Sequence, residues 1–326
     1  MLIDQHQRVH TYLRISLTDS CNFRCSYCMP DEDTQSMPSA HLMRVDEIES
    51  IAKKFVQLGV NKIRLTGGEP LVRKDIGMII DRLSKLPVEL TLTTNGVLVD
   101  KYIELFKKCG IKSLNVSLDT LREDVFYKLT KRDQFLKVQQ NIMLLLKEGF
   151  RVKINVVALN GIIEKELLDF VRLTKDLPLH VRFIEFMPFS GNNWNSDKVM
   201  TAKKMVRMVE EEFDIVKLKD LPHDTAKKYK AIGHQGTFAF ITTMSEHFCG
   251  DCNRMRITAD GKMKNCLFEK GELDLLGQLR QGKDIEPLIK LSLYKKKASL
   301  GGQFSKNYEK ADASKIENRS MIKIGG

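Results

Sequence analysis

The sequence predicts an α/β fold, an incomplete (β/α)6 TIM-type barrel, and two observations predict it. First, over residues 12–213 short β-type runs alternate with longer segments whose apolar residues recur at helical spacing. Second, polar or potential ligand residues follow the strand runs, as expected where parallel strands end at one catalytic face. Six strand–helix units exceed half of a dinucleotide-binding fold and fall short of a closed eight-stranded barrel. A doubly wound open sheet is the alternative.

The strands are predicted in six short runs, and two of the intervening helices are well defined. In chain order the runs read "YLRISL", "KIRL", "VELTLTT", "SLNVSL", "VKINVVAL" and "VRFIEF". The apolar residues that line one face of each helix are Ile48, Ile51, Phe55 and Leu58 in the first, and Phe135, Val138, Ile142 and Leu145 in the second. Asp46 and Glu49 predict a capping box for the first helix, and Gly59 and Gly149 predict the two helix ends.

The pattern changes after residue 215, which predicts two regions. Residues 1–215 form the partial barrel, and residues 216–326 form a smaller C-terminal region. In the second region, "FAFITTMSEHFCGDCNRMRITADGKMKNCLF" indicates strands and a turn around three cysteines. The polar stretch 303–320 predicts a mobile tail, which ends in Gly325 and Gly326.

Composition and charge are those of a globular protein with anionic partners. Hydrophobic residues make up 42% and charged residues 29% of the chain, which is ordinary for a folded domain. No apolar run approaches the ~18 residues of a membrane span, and "MLIDQHQRVH" lacks a signal-peptide layout. We therefore expect a cytoplasmic protein without a membrane partner. The net charge of +11 indicates an anionic ligand, although the lysine run 295–297 is interpreted as solvated surface.

Six of the seven cysteines fall into two triplets, which predicts metal or cluster sites. The triplets are Cys21, Cys25 and Cys28, spaced C-x3-C-x2-C, and Cys249, Cys252 and Cys266, spaced C-x2-C-x13-C. In a reducing compartment such grouping favours ligation over disulfides. Three thiolates on a four-iron cluster leave one iron open to a substrate or cofactor. Zinc completed by a fourth ligand is the alternative, with His247 as a candidate beside the second triplet.

The first triplet and the segment after the second strand together resemble the radical S-adenosylmethionine (SAM) superfamily. The matching residues are "CNFRCSYC" after strand one and "TGGEP" after strand two, where glycines let the backbone approach a ligand closely. The resemblance implies a [4Fe–4S] cluster on the first triplet that binds SAM and cleaves it reductively to a 5′-deoxyadenosyl radical. The SAM contacts that it implies are Tyr27, Gly68, Ser117 and Met187.

Nearly the whole chain resembles one family of that superfamily, the GTP 3′,8-cyclases of molybdenum cofactor biosynthesis (MoaA). Matching segments include "LRISLTDSCNFRCSYCMP", "KIRLTGGEPL", "VRFIEFMP", "FCGDCNRMRITADGKMKNCLF" and the terminal "IGG". The resemblance implies a second [4Fe–4S] cluster on Cys249, Cys252 and Cys266. It also implies a lyase that converts GTP to (8S)-3′,8-cyclo-7,8-dihydroguanosine 5′-triphosphate, after the deoxyadenosyl radical takes the C3′ hydrogen of GTP.

The same resemblance implies a set of substrate contacts. The residues implied to bind GTP are Arg14, Arg64, Thr93, Lys153, Arg182, Arg254, Met255 and Arg256. Several lie within predicted strands, where a buried cation requires a counter-charge; for Arg182, Glu185 is an alternative partner. Strand alternation places Arg254 and Arg256 on one face and Met255 on the other. The resemblance further implies that Gly325 and Gly326 enter the active site.

The resemblance extends to partners, and two other functions stay open. It implies a flavodoxin- or ferredoxin-type reductant and a downstream cyclic pyranopterin monophosphate synthase, with no nucleic acid as partner. The oligomeric state is open, with a homodimer as the candidate. The alternative functions are a peptide-modifying radical SAM maturase and a basic zinc protein that binds nucleic acid. A maturase would carry more cysteines near its C-terminus, and a nucleic-acid binder more than 7% aromatic residues.

Overall fold

Six parallel strands form the centre of a single sheet and match the six predicted runs. The computed structural model describes residues 1–29, 35–304, 308–310 and 312–325. The strands pair in chain order, with the bounds β1 (Tyr12–Ser16), β2 (Lys62–Thr66), β3 (Glu89–Thr94), β4 (Ser113–Ser117), β5 (Arg151–Ala158) and β6 (His180–Glu185). The predicted partial barrel of parallel strands is confirmed.

Helices connect these strands and pack against them. Their bounds are α1 (Val45–Gln57), α2 (Ile76–Ser84), α3 (Ile103–Lys108), α4 (Glu123–Thr130), α5 (Phe135–Lys147), α6 (Leu167–Asp176) and α7 (Ala202–Glu210). Apolar side chains of strands and helices share one core, in which Leu13, Ile63 and Phe55 are fully buried. On β1 and β2 the alternate positions Arg14 and Arg64 stand side by side on the opposite face. That face is the interior of the barrel.

The C-terminal part of the chain widens the sheet on both sides. Its strands are β7 (Ile215–Lys217), β8 (Lys227–Ala231), β9 (Thr237–Ile241), β10 (Arg254–Ile257), β11 (Lys262–Lys264) and β12 (Leu273–Asp274). β9 pairs in parallel with β6, and β10 pairs in parallel with β1. The remaining strands add antiparallel edges. Within the described residues, this part of the chain also forms the helices α8 (Leu275–Arg280), α9 (Glu286–Tyr294) and α10 (Met321–Ile324).

The observed ends of α1 and α5 can be compared with the predicted capping box and the predicted helix-ending glycines. The predicted capping box of Asp46 and Glu49 is wrong, because the cap lies two residues earlier, at Arg44 and Glu47. The Glu47 carboxylate accepts a hydrogen bond from the Arg44 backbone N–H at 2.7 Å. Gly59 has φ +104° just beyond the end of α1, a conformation that favours glycine. Gly149, at φ +80°, ends α5 in the same way.

The lysine run at 295–297 is not uniform, and this corrects one interpretation. Lys295 and Lys297 are exposed, as a solvated surface requires. Lys296 is only 2% exposed, because the turn that follows α9 directs its side chain inward. Among the described residues, no helix combines the length and apolar character that a bilayer crossing would need.

Candidate active site

The loop that carries the first cysteine triplet follows β1 and is held by backbone hydrogen bonds. The Cys25 carbonyl accepts the N–H groups of Cys28 at 2.9 Å and Met29 at 2.8 Å, which turns the loop tightly. Arg24 N–H donates to the Thr130 carbonyl at 2.9 Å and fixes the loop to the end of α4. All three thiols line one cavity of about 170 Å³. The loop is therefore positioned by the main chain, with its sulfurs facing a common space.

Glycines after β2 allow a second loop to pack directly on the first. A Cβ on Gly68 would lie 2.5 Å from the Ser20 carbonyl oxygen, and one on Gly67 would lie 2.7 Å from that of Thr18. The backbone bond from Gly68 N–H to Thr18 O, 2.7 Å long, needs this approach. The "TGGEP" segment thus completes the wall of the triplet cavity.

Glu69 and Asp119 connect the loops that follow neighbouring strands, and Asp119 lines this cavity. The buried Glu69 carboxylate accepts hydrogen bonds from Thr94 Oγ1 at 2.8 Å and from Asn95 N–H at 2.6 Å. Burial raises its pKa to about 7, although these bonds act against the rise. Asp119 accepts a 2.5 Å bond from the Tyr27 hydroxyl and a 2.8 Å bond from Val157 N–H. Burial raises the pKa of Asp119 to about 6, and the same two bonds oppose the shift.

A larger cavity of about 420 Å³ adjoins the first and contains the second triplet. The two cavities share Asn155, Ile184 and Met321 as lining residues, so they form adjacent parts of one space. The cationic residues that line the larger cavity are Arg14, Lys62, Arg64, Lys153, Arg182, Arg254 and Arg256. They come from two groups of adjacent strands, β10, β1 and β2 in one and β5 and β6 in the other.

Three of these arginines form a row across adjacent strands. In the β10–β1–β2 register, Arg256 is opposite Arg14, and Arg14 is opposite Arg64. Like charges in directly opposed positions destabilise a sheet. Burial, together with Arg64 and Arg254, lowers the pKa of Arg14 to about 10, although Tyr12 opposes the decrease. Such a row of buried like charges lowers the stability of the sheet unless an anion neutralises it. The row therefore indicates a binding site for an anionic ligand.

Other polar groups of the larger cavity point to the same conclusion. Burial and the neighbouring Arg64 lower the pKa of Arg182 to about 9. For Lys153, burial and Arg182 lower the pKa to about 8. Asn115 Oδ1, Asn265 Oδ1 and Arg182 Nε are buried and form no hydrogen bond within the described residues. Buried polar atoms are normally satisfied, so these three fit a polar ligand in the cavity.

Two cations contact Cys252 in the second triplet. Arg254 Nη2 lies 3.5 Å and Lys296 Nζ 3.6 Å from Cys252 Sγ, and the Leu300 N–H donates to Cys249 Sγ at 3.4 Å. Burial alone would raise the pKa of Cys252, but Arg254 and Lys296 lower it to about 6. The Arg254 guanidinium also stacks over the Phe248 ring, 4.7 Å from its centroid.

Comparison with known proteins decides the family. Residues 15–174 match the model of the Radical SAM superfamily, and residues 179–300 match that of Molybdenum Cofactor Synthesis C. The chain is 46% identical to the mitochondrial GTP 3′,8-cyclase of Arabidopsis thaliana, over all of this chain and 84% of that protein. It is 37% identical to the GTP 3′,8-cyclase of Syntrophomonas wolfei, over the full length of both. The chain belongs to the radical SAM family of GTP 3′,8-cyclases.

Longer relatives and solved structures extend this comparison. Molybdenum cofactor biosynthesis protein 1 of Homo sapiens is 44% identical over 99% of this chain, which spans only 51% of that protein. Streptococcus suis SuiB superposes with a TM-score of 0.62 over 98% of this chain and 75% of SuiB, at 17% identity. SuiB bound to S-adenosylmethionine gives 0.61 over 96% and 73% of the two chains. At such identity the likeness shows the fold alone.

The cofactors of GTP 3′,8-cyclases are SAM and two [4Fe–4S] clusters, and the residues present fit them. Each triplet opens into a cavity, and the close glycine approach shapes the wall beside the first. In the described part of the chain, no three His, Cys, Asp or Glu side chains are arranged around a single metal ion. A four-iron cluster needs a wider set, because each of its three thiolates binds a different iron.

The structure brings most of the predicted contact residues to these two cavities. Tyr27, Gly68 and Ser117 line the smaller one, whereas Met187 lines the larger one. Thr93 also lines the smaller cavity, where its hydroxyl accepts a 3.5 Å bond from Arg64 Nη1. These positions are compatible with the SAM and GTP contacts, which stay predictions.

Two expectations about the GTP contacts are wrong. Met255 is fully buried in the hydrophobic core, because alternation turns it away from the cavity that Arg254 and Arg256 line. The prediction of a GTP contact is therefore wrong for its side chain. Glu185 is not the partner of Arg182, which donates to Asn155 Oδ1. Glu185 instead accepts from the Met244 N–H at 2.8 Å and other groups of that turn.

The C-terminal tail returns to the arginine row. Arg256 Nη1 donates to the Gly325 carbonyl oxygen at 2.8 Å. Gly325 has φ +83°, and a Cβ there would lie 2.6 Å from Thr66 Oγ1 and 2.8 Å from Ser16 Cβ, so only glycine fits this position. Gly326 lies outside the described residues.

Sequence reasoning missed several residues of the cavity wall. Tyr12 and Lys62 share the strand face of Arg14 and Arg64, so alternation alone could have found them. Arg64 Nε donates to the Tyr12 hydroxyl. Burial would raise the pKa of Tyr12, but Arg64 and Arg14 lower it to about 8. No sequence signal distinguishes Lys296 from its two exposed neighbours.

Proposed function

We propose that this chain converts GTP to (8S)-3′,8-cyclo-7,8-dihydroguanosine 5′-triphosphate in molybdenum cofactor biosynthesis. One observation carries the proposal: a cavity with a row of arginines lies between two cysteine triplets and adjoins the cavity of the first. A small cofactor at one triplet and a polyanionic nucleotide at the other would then meet at the shared wall. Membership in the GTP 3′,8-cyclase family supports GTP as that nucleotide.

The reaction balances with two electrons from a reductant. Cys21, Cys25 and Cys28 would hold the first cluster, and SAM bound there would supply, with the first of these electrons, the chemistry that removes the hydrogen atom from C3′ of GTP. The C3′–H bond breaks, the C3′–C8 bond forms, and one electron and one proton complete the product. The product is therefore an isomer of GTP, and each turnover yields one 5′-deoxyadenosine and one methionine.

The chain's own residues bind and orient the substrate. Arg14, Arg64 and Arg256 present guanidinium groups in a row, which suits the oxygens of a triphosphate. Lys153 and Arg182 add charge from β5 and β6. The free oxygens of Asn115 and Asn265 accept hydrogen bonds from ribose hydroxyl or guanine N–H groups.

Product analysis with a panel of nucleotides tests the proposal. The anaerobic protein with both clusters is incubated with SAM, a reductant and GTP, ATP, CTP or UTP in turn. We expect GTP alone to give a new compound of GTP's mass with a different retention time, in equal amount to 5′-deoxyadenosine. Omitting SAM is the control. If 5′-deoxyadenosine forms without a new nucleotide, GTP is not the substrate, and a peptide substrate becomes the hypothesis to test.

The remaining assignments are part of this proposal. We assign a flavodoxin- or ferredoxin-type protein as the one-electron donor and a cyclic pyranopterin monophosphate synthase as the consumer of the product. We further propose a cytoplasmic location, supported by the grouping of six cysteines in two triplets, which a reducing compartment favours, and a homodimer as the assembly. The division of the chain near residue 215 stays a prediction, to be tested by limited proteolysis.

A further inference from the structure

Lys296 is a buried cation beside the second triplet that substrate binding does not use. Lys296 is 2% exposed, and it does not line the larger cavity. Nζ lies 2.8 Å from His10 Nε2, 3.0 Å from the Arg254 carbonyl oxygen and 3.6 Å from Cys252 Sγ. Lysine is almost never fully buried unless it is paired, so this environment requires an explanation.

The hydrogen-bond pattern makes Lys296 the donor in each of its three contacts. His10 Nδ1 lies 2.9 Å from the Arg8 carbonyl oxygen, which can only accept, so Nδ1 carries the hydrogen and Nε2 accepts. The Arg254 carbonyl and the Cys252 sulfur are the two other acceptors. Three acceptors need three N–H donors, which an ammonium group has and a neutral amine lacks. One of the three is directed at a cluster ligand.

The N-terminal segment fixes the position of Lys296 through hydrogen bonds to the backbone around it. Asp4 binds Arg8 Nε at 2.6 Å. Arg8 Nη1 donates to the carbonyl oxygens of Cys249 and Ala298, each at 2.8 Å. Gln5 Nε2 donates to the carbonyl oxygen of Lys296 at 2.9 Å. A single short segment therefore ties the cysteine loop and the lysine to each other.

We propose that Lys296 is a positioning residue which donates an N–H···S hydrogen bond to Cys252 and thereby raises the reduction potential of the second [4Fe–4S] cluster. Reduction adds one negative charge to the cluster, and hydrogen bonds to the sulfurs together with a nearby cation stabilise the reduced state. Arg254 donates to the same sulfur from the cavity side, where a bound nucleotide competes for its charge. Lys296 keeps its contact outside the cavity, so its effect persists whether or not substrate is bound. The proposal rests on the second cluster and not on the identity of the nucleotide.

A redox titration of the full chain with both clusters, followed by electron paramagnetic resonance without nucleotide, tests the proposal. The signal that SAM perturbs is assigned to the first cluster and serves as the internal reference. In Lys296→Met we expect the ratio of reduced to oxidised second cluster at a given potential to fall at least tenfold, which is a midpoint lower by at least 59 mV for one electron. Lys295→Met and Lys297→Met, the exposed neighbours, are matched controls and keep the wild-type midpoint.

Two further variants keep the outcome decisive. Lys296→Arg retains charge and donors and should recover part of the loss. Should Lys296→Met fail to retain iron, Lys296→Gln keeps an N–H donor without the charge and should give an intermediate midpoint. A wild-type midpoint in Lys296→Met, or in Lys296→Gln where that variant replaces it, overturns the proposal. So does an equal shift in either neighbouring control. A nucleotide panel that rejects GTP would leave this result unaffected.

Discussion

The two cysteine triplets differ in what surrounds their thiols, and the difference separates their ligands. Around the first triplet burial dominates: it raises the pKa of Cys21 to about 11 and that of Cys28 to about 12. Around the second, Arg254 and Lys296 overcome burial and lower the pKa of Cys252 to about 6. A weakly charged cavity suits SAM, because its methionine moiety carries a positive amino group as well as a negative carboxylate. A strongly cationic cavity suits a triphosphate. We therefore expect SAM to bind at the first triplet and the nucleotide at the second.

The largest expected effect comes from removing one ligand in each triplet. We expect Cys25→Ser to abolish 5′-deoxyadenosine formation, because SAM loses its cluster. We expect Cys252→Ser to abolish the cyclised nucleotide while SAM cleavage persists. Each variant should keep about half of the ~8 irons of two four-iron clusters, and Cys109→Ser, outside both triplets, is the control. Identical phenotypes in the two triplet variants would contradict the assignment of different roles to the two triplets.

Deleting residues 325 and 326 should stop product formation with both clusters intact. Arg256 loses the Gly325 carbonyl, and the space between Thr66 and Ser16 opens to water. Gly325→Ala should give a partial loss, because its Cβ would contact Thr66 Oγ1. Iron analysis and product chromatography measure both effects. Wild-type turnover of the truncated chain would mean that the tail contact has no role in catalysis.

Arg256→Ala should weaken GTP binding without affecting the first cluster. Loss of one charge-assisted contact costs roughly 1.5–3 kcal/mol, about 10- to 150-fold in affinity. Arg256→Lys should recover only part, because an ammonium group lacks the planar fork. Arg151→Ala, at the exposed start of β5, is the matched control. Equal GTP affinity in Arg256→Ala and Arg151→Ala, measured by anaerobic calorimetry, would contradict the substrate role of the row.

A pair of glycine substitutions compares the backbone of the two triplet regions. Gly68→Ala places a Cβ 2.5 Å from the Ser20 carbonyl, whereas a Cβ on Gly250, between Cys249 and Cys252, meets nothing within 4 Å. We expect Gly68→Ala to cost about 1–3 kcal/mol of stability and to impair SAM cleavage, and Gly250→Ala to change neither. Thermal unfolding and deoxyadenosine assays measure the contrast. Equal tolerance at both sites would show that the close approach is dispensable.

The smallest expected effect is on the pH dependence of GTP binding. Burial and Arg182 lower the pKa of Lys153 to about 8 in the free site, and a bound polyanion raises it. GTP affinity should therefore be full below pH 8 and fall as pH rises above it, by at most about tenfold per unit for one proton. Lys153→Met should bind more weakly and flatten this profile. An unchanged slope in Lys153→Met would assign the titration to another group.

The sequence predicted the strands and most of the site because both depend on local patterns. Alternation places Arg14 and Arg64 on one face, and the spacing of the cysteines marks both triplets. The helix cap was missed because Glu47 is selected by a distant contact, a 2.8 Å bond from Arg280 Nε. Lys296 was missed for the same reason, since His10 and Cys252 are far away in the chain. Contacts of this kind leave no local signal.

The central claim is that the two cavities bring SAM and GTP together, and deuterium transfer tests it most directly. GTP labelled with deuterium at C3′ is incubated anaerobically with the protein, SAM and a reductant, and the 5′-deoxyadenosine formed is examined by mass spectrometry. We expect one deuterium atom in the 5′-deoxyadenosine and none left at C3′ of the cyclised nucleotide. Unlabelled 5′-deoxyadenosine, formed at the same rate with or without GTP, would contradict the account.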